Sequence, residues 1–171
     1  MLNQETVPEK YLFKDNGIIP NSKYPVLIYR NVFTDRGIKG AEWLEQKFKQ
    51  NNWYNSWRWG IYPFHHYHSN THETLGVFQG FAEVLIGGFK GKKVKISAGD
   101  IIIIPAGVGH KCLRHSEDFT VVGAYAEGKE PDLVKESETV KRDAALKNIT
   151  EVPIPSQDPL MGNKGLVHIW K

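Results

Sequence analysis

The sequence predicts an all-β fold, a sandwich or a barrel, with one helix in its N-terminal half and a C-terminal extension. From Trp59 to Gly128, apolar segments of five to nine residues alternate with Gly, Pro, Asn and Ser, a pattern typical of antiparallel strands. The run from Ile101 to Ile104 has no polar alternation, so we expect this strand to be covered on both faces. At 171 residues the chain is long enough for one domain with a sizeable core.

Two elements are expected before the barrel strands. The segment "YPVLIYRNVF" reads as a strand, and "RGIKGAEWLEQKFKQNN" reads as an amphipathic helix of about four turns. Ala41, Leu44 and Phe48 form the apolar stripe of this helix, and Asn51 and Asn52 are suitable end residues. The barrel core is therefore expected over residues 25–128.

The chain after Gly128 is expected to decorate the barrel. "DLVKESETVKRDAALKNI" predicts a helix, and the proline-rich "EVPIPSQDPLMGNKGLVHIW" predicts an extended arm, laid over the barrel or over a partner subunit. We therefore expect residues 1–171 to form a single domain, with a C-terminal arm at 129–171.

Composition excludes several classes of function. A net charge of +3 is too small to argue for nucleic-acid binding, and the lysine cluster around "FKGKKVKI" reads as a solvated turn. The single cysteine, Cys112, excludes an internal disulfide and favours a reducing compartment. The N-terminal 17 residues have no signal pattern, and no apolar run approaches membrane-spanning length. We expect a cytoplasmic protein with no membrane contact.

The stretch "FHHYHSNTHETLGVFQG" holds four of the seven histidines within eight residues. Because side chains two apart on a strand share a face, His66 and His68 are expected to point inward together. Glu73 begins the next strand, and His110 follows the loop "PAGVG", which can bring it to the same place.

Three imidazoles and a carboxylate inside a barrel favour a site for one divalent transition metal (Fe, Mn, Ni, Cu or Zn), with room for water or substrate. Neutral imidazoles buried together without a metal would leave polar atoms unpaired. His72, in the turn before Glu73, is a rival ligand or a residue that orients one.

The spacing resembles the two motifs of the cupin superfamily. Gly60, His66, His68, Glu73 and Gly80 fit G-x5-H-x-H-x(3–4)-E-x6-G, and Gly99, Pro105, Gly107 and His110 fit G-x5-P-x-G-x2-H-x3-N, so nine of ten fixed positions match. The resemblance implies a double-stranded β-helix, or jelly-roll, barrel. It also implies that the metal ligands are His66, His68, Glu73 and His110. The flanking segments are similar to those of the YjlB-like subgroup of small, single-domain cupins.

Arg114 stands where the second motif prefers Asn. Counting from His110, Cys112 and Arg114 are expected on the inward face. A buried guanidinium needs a negatively charged partner. Arg114 is therefore expected either to pair with a carboxylate of the protein or to bind a substrate carboxylate. Cys112 is more simply explained as a small buried hydrophobe.

Other inward positions are candidates for contact with a substrate. Tyr62 shares the face of His66, and Gln79 shares the face of Glu73, although plain core filling explains both equally well. Trp53, Trp57 and Trp59 are expected either to form an aromatic lip over the barrel mouth or to seal the helix against the sheet, and we favour the seal.

The resemblance indicates the fold and a metal site more strongly than it indicates the reaction. The first hypothesis is a metal-dependent enzyme, oxygenase-like or else an isomerase or lyase, acting on a small organic acid, with Arg114 or Tyr62 holding the substrate. The second is a binding or sensor module for a small ligand, and the third is a scaffold with a vestigial site. Cupin resemblance and the long arm favour a homodimer.

Overall fold

Residues 6–171, which the computed structural model describes, form two antiparallel sheets that face each other. Residues 1–5, part of the segment expected to lack a signal, lie outside this range. The strands are β1 (Glu9–Tyr11), β2 (Val26–Tyr29), β3 (Trp53–Trp59), β4 (His66–Tyr67), β5 (Glu73–Gln79), β6 (Phe81–Ile86), β7 (Lys92–Ser97), β8 (Ile101–Ile104), β9 (His110–His115), β10 (Thr120–Ala126) and β11 (Val134–Lys135). The helices are α1 (Gly37–Gln50), α2 (Arg142–Glu151) and α3 (Leu166–Ile169).

The two sheets make the barrel that the all-β prediction anticipates. One sheet has the order β1-β2-β8-β5-β10-β3 and the other β11-β4-β9-β6-β7, and every pairing is antiparallel. This arrangement confirms the jelly-roll fold. Because β1 and β11 lie outside residues 25–128, the barrel extends further at both ends than expected.

The isoleucine strand β8 is covered on both faces, as its sequence predicts. Ile102 and Ile104 join the apolar interior between the sheets, whereas Ile101 and Ile103 join a second cluster on the outer face of the six-stranded sheet. Burying four isoleucines contributes about 1.5–3 kcal/mol each. This strand anchors the sheet that carries Glu73.

Helix α1 covers that outer face with its predicted stripe. Ala41, Leu44 and Phe48 are fully buried. Leu44 packs directly on the backbone of Gly76 in β5, where a Cβ would lie 2.4 Å from a Leu44 methyl carbon. The helix ends at Gln50 with Asn51 as its C-cap, and Asn52 has a left-handed φ of 64°, so the two asparagines mark the helix end as expected.

The C-terminal arm lies over the barrel of its own chain. Leu160, Leu166 and Trp170 are buried against the outer face beside α1. The carboxylate of Asp158 fixes the arm: it accepts a 2.7 Å hydrogen bond from the Tyr29 hydroxyl and further bonds from the backbone N–H groups of Leu160, Met161 and Leu166. Helix α2 confirms the helix expected in this region.

Strand β3 is an element that the sequence did not predict. Its pairing with β10 shifts in register between Gly123 and Tyr125, and Asn55 has a left-handed φ of 59°. This bulge changes which face the tryptophans take. Trp53 is buried on the α1 side, whereas Trp57 turns toward the barrel interior.

Candidate metal centre

Three histidines from the five-stranded sheet converge on one point. His66 in β4 lies directly opposite His110 in β9, and His68 follows the end of β4. One ring nitrogen from each lies within 4.8 Å of those of the other two. All three imidazoles are largely buried, and their nitrogens face a common cavity.

Glu73 reaches the same point from the facing sheet. One carboxylate oxygen lies 3.2 Å from Nε2 of His68, and the other lies 3.3 Å from Nε2 of His110. Glu73 is the first residue of β5, and its side chain is 4% exposed. The inward positions expected for His66, His68, Glu73 and His110 agree with this geometry; their role as metal ligands stays a prediction.

The loop before His110 brings it to the site through one tight turn. Gly107 has a φ of 95°, a left-handed conformation that suits glycine, and its N–H donates a 2.8 Å hydrogen bond to the carbonyl of His68. A Cβ at Gly107 would lie 2.5 Å from the carbonyl oxygen of Asn21. The loop is therefore held against β4, and β9 starts beside it.

Each imidazole is oriented by a backbone carbonyl. Nδ1–H of His66 donates to Phe64 at 2.9 Å, and Nδ1–H of His110 donates to Val108 at 3.1 Å. Nδ1–H of His68 donates to the carbonyl of Asp132. With the proton on Nδ1, the lone pair of Nε2 is free for a metal.

The electrostatics of the four groups fit a cation. Burial, together with nearby His110, lowers the pKa of His66 to about 3, so this ring is neutral near pH 7. Burial alone would lower the pKa of His68 and raise that of Glu73, but their mutual attraction outweighs burial: the pKa of His68 is raised and that of Glu73 is held below its ordinary value. Nε2 lone pairs that face carboxylate oxygens need a proton or a metal ion between them.

These groups form the floor of a cavity of about 270 Å³. Aromatic and aliphatic side chains build most of its wall, and a loop after β10 closes one side. The lining residues are Trp57, Trp59, Gly60, Ile61, Tyr62, His66, His68, Glu73, Leu75, His110, Tyr125, Pro131, Asp132 and Leu133. The arrangement can hold a small molecule against the cluster.

Tyr62, one of the three expected substrate contacts, lines this cavity. Its ring stacks on Phe64 at a centroid distance of 4.8 Å and meets the His66 ring edge-on at 5.1 Å. Trp59, which is 59% exposed, stands edge-on to Tyr62 at 5.3 Å. Trp57 and Trp59 thus form the lip that the sequence left as an alternative, whereas Trp53 belongs to the seal.

The expected inward orientation of Arg114 is wrong. The pairing of β9 with β6 shifts in register, so that Cys112 lies opposite Val84 but Arg114 lies opposite Glu83, and the extra residue, Leu113, reverses the alternation. The side chain of Arg114 is 75% exposed and pairs with Glu83 at 3.2 Å. Cys112 is buried in the apolar interior, as expected.

Gln79 also lies away from the cavity. It ends β5, six residues beyond Glu73, which is about 20 Å along an extended strand. A register shift against β10 places it opposite Thr120, where it is half-buried. Because of this register shift, Gln79 does not point to the same side of the sheet as Glu73.

His72 is a structural residue in this arrangement. It is 2% exposed, accepts a hydrogen bond from the N–H of Ala106 at 2.9 Å and donates from Nε2 to the carbonyl of Pro153 at 3.0 Å. Its ring also contacts Trp170 at 4.9 Å between centroids. Both nitrogens are engaged, so neither is available to a metal.

Sequence reasoning missed Tyr125 and Asp132. Tyr125 lies opposite Glu73 on β10 and accepts a 2.9 Å hydrogen bond from Nε1–H of Trp57, and the charge of Glu73 helps burial to raise its pKa. Its alternation with Val121 and Gly123 on β10 was a usable signal. Asp132 lies in the loop after β10, and no sequence pattern indicates that this loop folds over the cavity.

Comparison with known proteins agrees with this architecture. The family model described as "Cupin domain" matches residues 60–122. A Bacillus subtilis (strain 168) protein named "Uncharacterized protein YjlB" is 40% identical over 168 residues, covering 97% of this chain and 98% of its own length. The chain is a cupin of the YjlB-like group. The family membership expected from the motifs is thereby confirmed.

Solved structures similar to this cupin include an 11S globulin, a predicted oxalate decarboxylase and an oxalate decarboxylase. Procruciferin, an 11S globulin of Brassica napus, is 19% identical, with a TM-score of 0.40. The match covers 57% of this chain and 27% of the procruciferin chain. A predicted oxalate decarboxylase of Thermotoga maritima is 17% identical with a TM-score of 0.35, covering 73% of this chain and 96% of its own. A variant of the Bacillus subtilis oxalate decarboxylase OxdC is 20% identical, with a TM-score of 0.40. The match covers 68% of this chain and 29% of the OxdC chain.

Proposed function

We propose that this cupin is a metal-dependent enzyme that acts on a small organic molecule, with an oxygenase-like reaction on an organic acid as the specific hypothesis. The observation that carries the proposal is the convergence of His66, His68, Glu73 and His110 on the floor of a small cavity. Three imidazoles and one carboxylate would hold one divalent transition metal and leave its cavity side open.

A bound metal supplies Lewis-acid or redox chemistry toward an oxygen of the substrate. The chain's own residues do the rest. Tyr62 and the apolar wall orient the substrate and exclude water, which strengthens every charge interaction in the site. The hydroxyl of Tyr125, whose pKa is raised by burial and by the charge of Glu73, keeps its proton beside the carboxylate.

Elemental analysis tests the metal site. Protein purified without added metal should contain close to one transition-metal ion per chain, and His66→Ala should lose it. His115→Ala, at a histidine in an exposed position, is the matched control and should retain the metal. Wild-type protein that takes up no Fe, Mn, Ni, Cu or Zn in any tested buffer contradicts the proposal.

Turnover tests the reaction. With iron in the site, candidate acids should cause oxygen consumption and yield a product detectable by mass spectrometry. If binding raises the melting temperature but no product forms under any of the five metals, the chain is a binding module instead.

The expected homodimer and cytoplasmic location belong to this proposal. Light scattering after size exclusion and cell fractionation test them. Among the described residues, no helix is long and apolar enough to cross a membrane.

A further inference from the structure

The wall of the cavity is aromatic and carries no fixed positive side chain. Trp57, Trp59 and Tyr62 line one side, and Ile61, Leu75 and Leu133 contribute aliphatic surface. No Lys or Arg occurs among the described lining residues, because Arg114 points outward to Glu83. The acidic residues there are Glu73, which faces His68 and His110, and Asp132, whose carboxylate is engaged by the N–H and hydroxyl of Ser69.

The aromatic wall is held in a fixed position. Trp57 lies flat over Gly123 of β10, where a Cβ would come within 2.3 Å of its ring. Its Nε1–H donates to the hydroxyl of Tyr125 at 2.9 Å. Tyr62 is held between Phe64 and Trp59 by the ring contacts described above. Such preorganised rings bind a planar partner with little loss of conformational entropy.

The charge count limits what can enter. At the metal itself, three neutral imidazoles, the Glu73 carboxylate and a divalent ion sum to one positive charge, and the Asp132 carboxylate on the wall adds negative charge that disfavours a second anionic group. One anionic group on the substrate neutralises this charge, whereas a second would lie unpaired against apolar wall, which is strongly unfavourable. The volume is also restrictive: an apolar cavity of about 150 Å³ binds benzene, so about 270 Å³ has room for one ring with a small substituent.

The aromatic wall is fixed, no Lys or Arg is among the described lining residues, and the cavity has room for one ring. From these three observations we infer that the substrate is a monoanionic, single-ring aromatic compound. Its oxygen donor would lie at the metal, and its ring would lie against Trp57, Trp59 and Tyr62. This inference rests on the proposed function and names its substrate class. Aliphatic dicarboxylates are excluded by the same charge count.

Calorimetric titration of Zn²⁺-loaded protein tests the inference without requiring turnover. Benzoate is the aromatic probe, succinate is the dianion and cyclohexanecarboxylate is an apolar ring without aromaticity. Benzoate should bind at least tenfold more tightly than either of the others. Trp59→Ala should weaken benzoate binding at least fivefold and leave Zn²⁺ affinity unchanged. The control Phe89→Ala, at an aromatic residue that is 55% exposed and outside the cavity, should change neither.

The outcomes separate this inference from the proposed function. If wild-type protein holds Zn²⁺ but binds succinate or cyclohexanecarboxylate as tightly as benzoate, the aromatic assignment is wrong and the metal proposal stands. Unchanged benzoate binding in Trp59→Ala also overturns the assignment. If wild-type protein holds no Zn²⁺ or any other divalent metal, both fall together.

Discussion

The imidazole rings of His66 and His110 face each other across strands β4 and β9 with their centroids 4.1 Å apart. Burial, with the His110 ring beside it, lowers the pKa of His66 to about 3. His66 is therefore a neutral donor near pH 7, which is the state that a transition metal needs.

Metal binding should stabilise the fold measurably. A ligand that binds only the native state at one hundred times its Kd adds about 2.7 kcal/mol to the free energy of unfolding. A chelator should therefore lower the melting temperature, and added metal should restore it. His110→Ala should abolish this response, whereas His115→Ala should keep it. A chelator response that survives in His110→Ala would contradict the ligand assignment.

Ser69→Ala should weaken metal binding although Ser69 does not face the metal site. The backbone N–H and the hydroxyl of Ser69 both donate to the carboxylate of Asp132, whose backbone carbonyl orients His68, and the substitution removes the hydroxyl bond. Loss of such an orienting contact typically costs about 10–100-fold in metal affinity. Competition titration with a chromogenic chelator measures it, with the exposed Ser156→Ala as control. Equal affinities in the two variants would show that the loop does not position His68.

Gly123→Ala should displace the Trp57 ring, because the new methyl group would lie 2.3 Å from it. Overpacking of this kind costs about 1–3 kcal/mol in the free energy of unfolding. Gly60→Ala is the control, since no atom lies within 4 Å of a Cβ there. Urea denaturation followed by tryptophan fluorescence measures both variants, and equal stability of the two would contradict the packing of Trp57 on β10.

Asp158→Asn should loosen the C-terminal arm. The two carboxylate oxygens accept four hydrogen bonds, and an amide has only one acceptor oxygen. At least one backbone N–H would be left unpaired in a buried place, at about 1–3 kcal/mol. The exposed Asp143→Asn is the matched control. Denaturation curves that superimpose for these two variants would rule out the role assigned to Asp158.

Acid should destabilise the fold partly through His72. Burial lowers its pKa to about 4, against an ordinary value of 6.5. Because the folded pKa is the lower one, the stability from neutral His72 is fully present above pH 6.5 and is lost as the pH falls to 4. That shift corresponds to about 3 kcal/mol. His72→Gln should show a shallower loss of unfolding free energy over this range, measured in urea with a chelator present. A slope equal to that of wild type would be the contrary result.

Much of the fold was predictable because periodicity dominates it. The stripe of α1, the doubly covered β8 and the turn-separated strands all follow from local pattern. His66 and His68 could be placed by strand alternation alone, and the loop spacing brought His110 to them. The site's polar core is thus encoded in short-range spacing.

Three of the failures share one cause. Arg114, Gln79 and Trp57 all lie beyond a bulge or register shift, and one inserted residue reverses the face of every side chain that follows. Bulges depend on how two distant strands pair, so single-strand counting cannot reveal them. Asp132 was missed for a similar reason: its position depends on tertiary contacts with Ser69 and Asn70.

The loop that contains Asp132 follows β10, the last long strand, and contributes directly to the candidate metal site. It closes one side of the cavity and carries the carbonyl that turns His68, while Asn148 of α2 donates a hydrogen bond to the Ser69 hydroxyl behind it. A truncated barrel ending at residue 128 would therefore keep the motif histidines but have a shallow, open basin with one imidazole free to rotate.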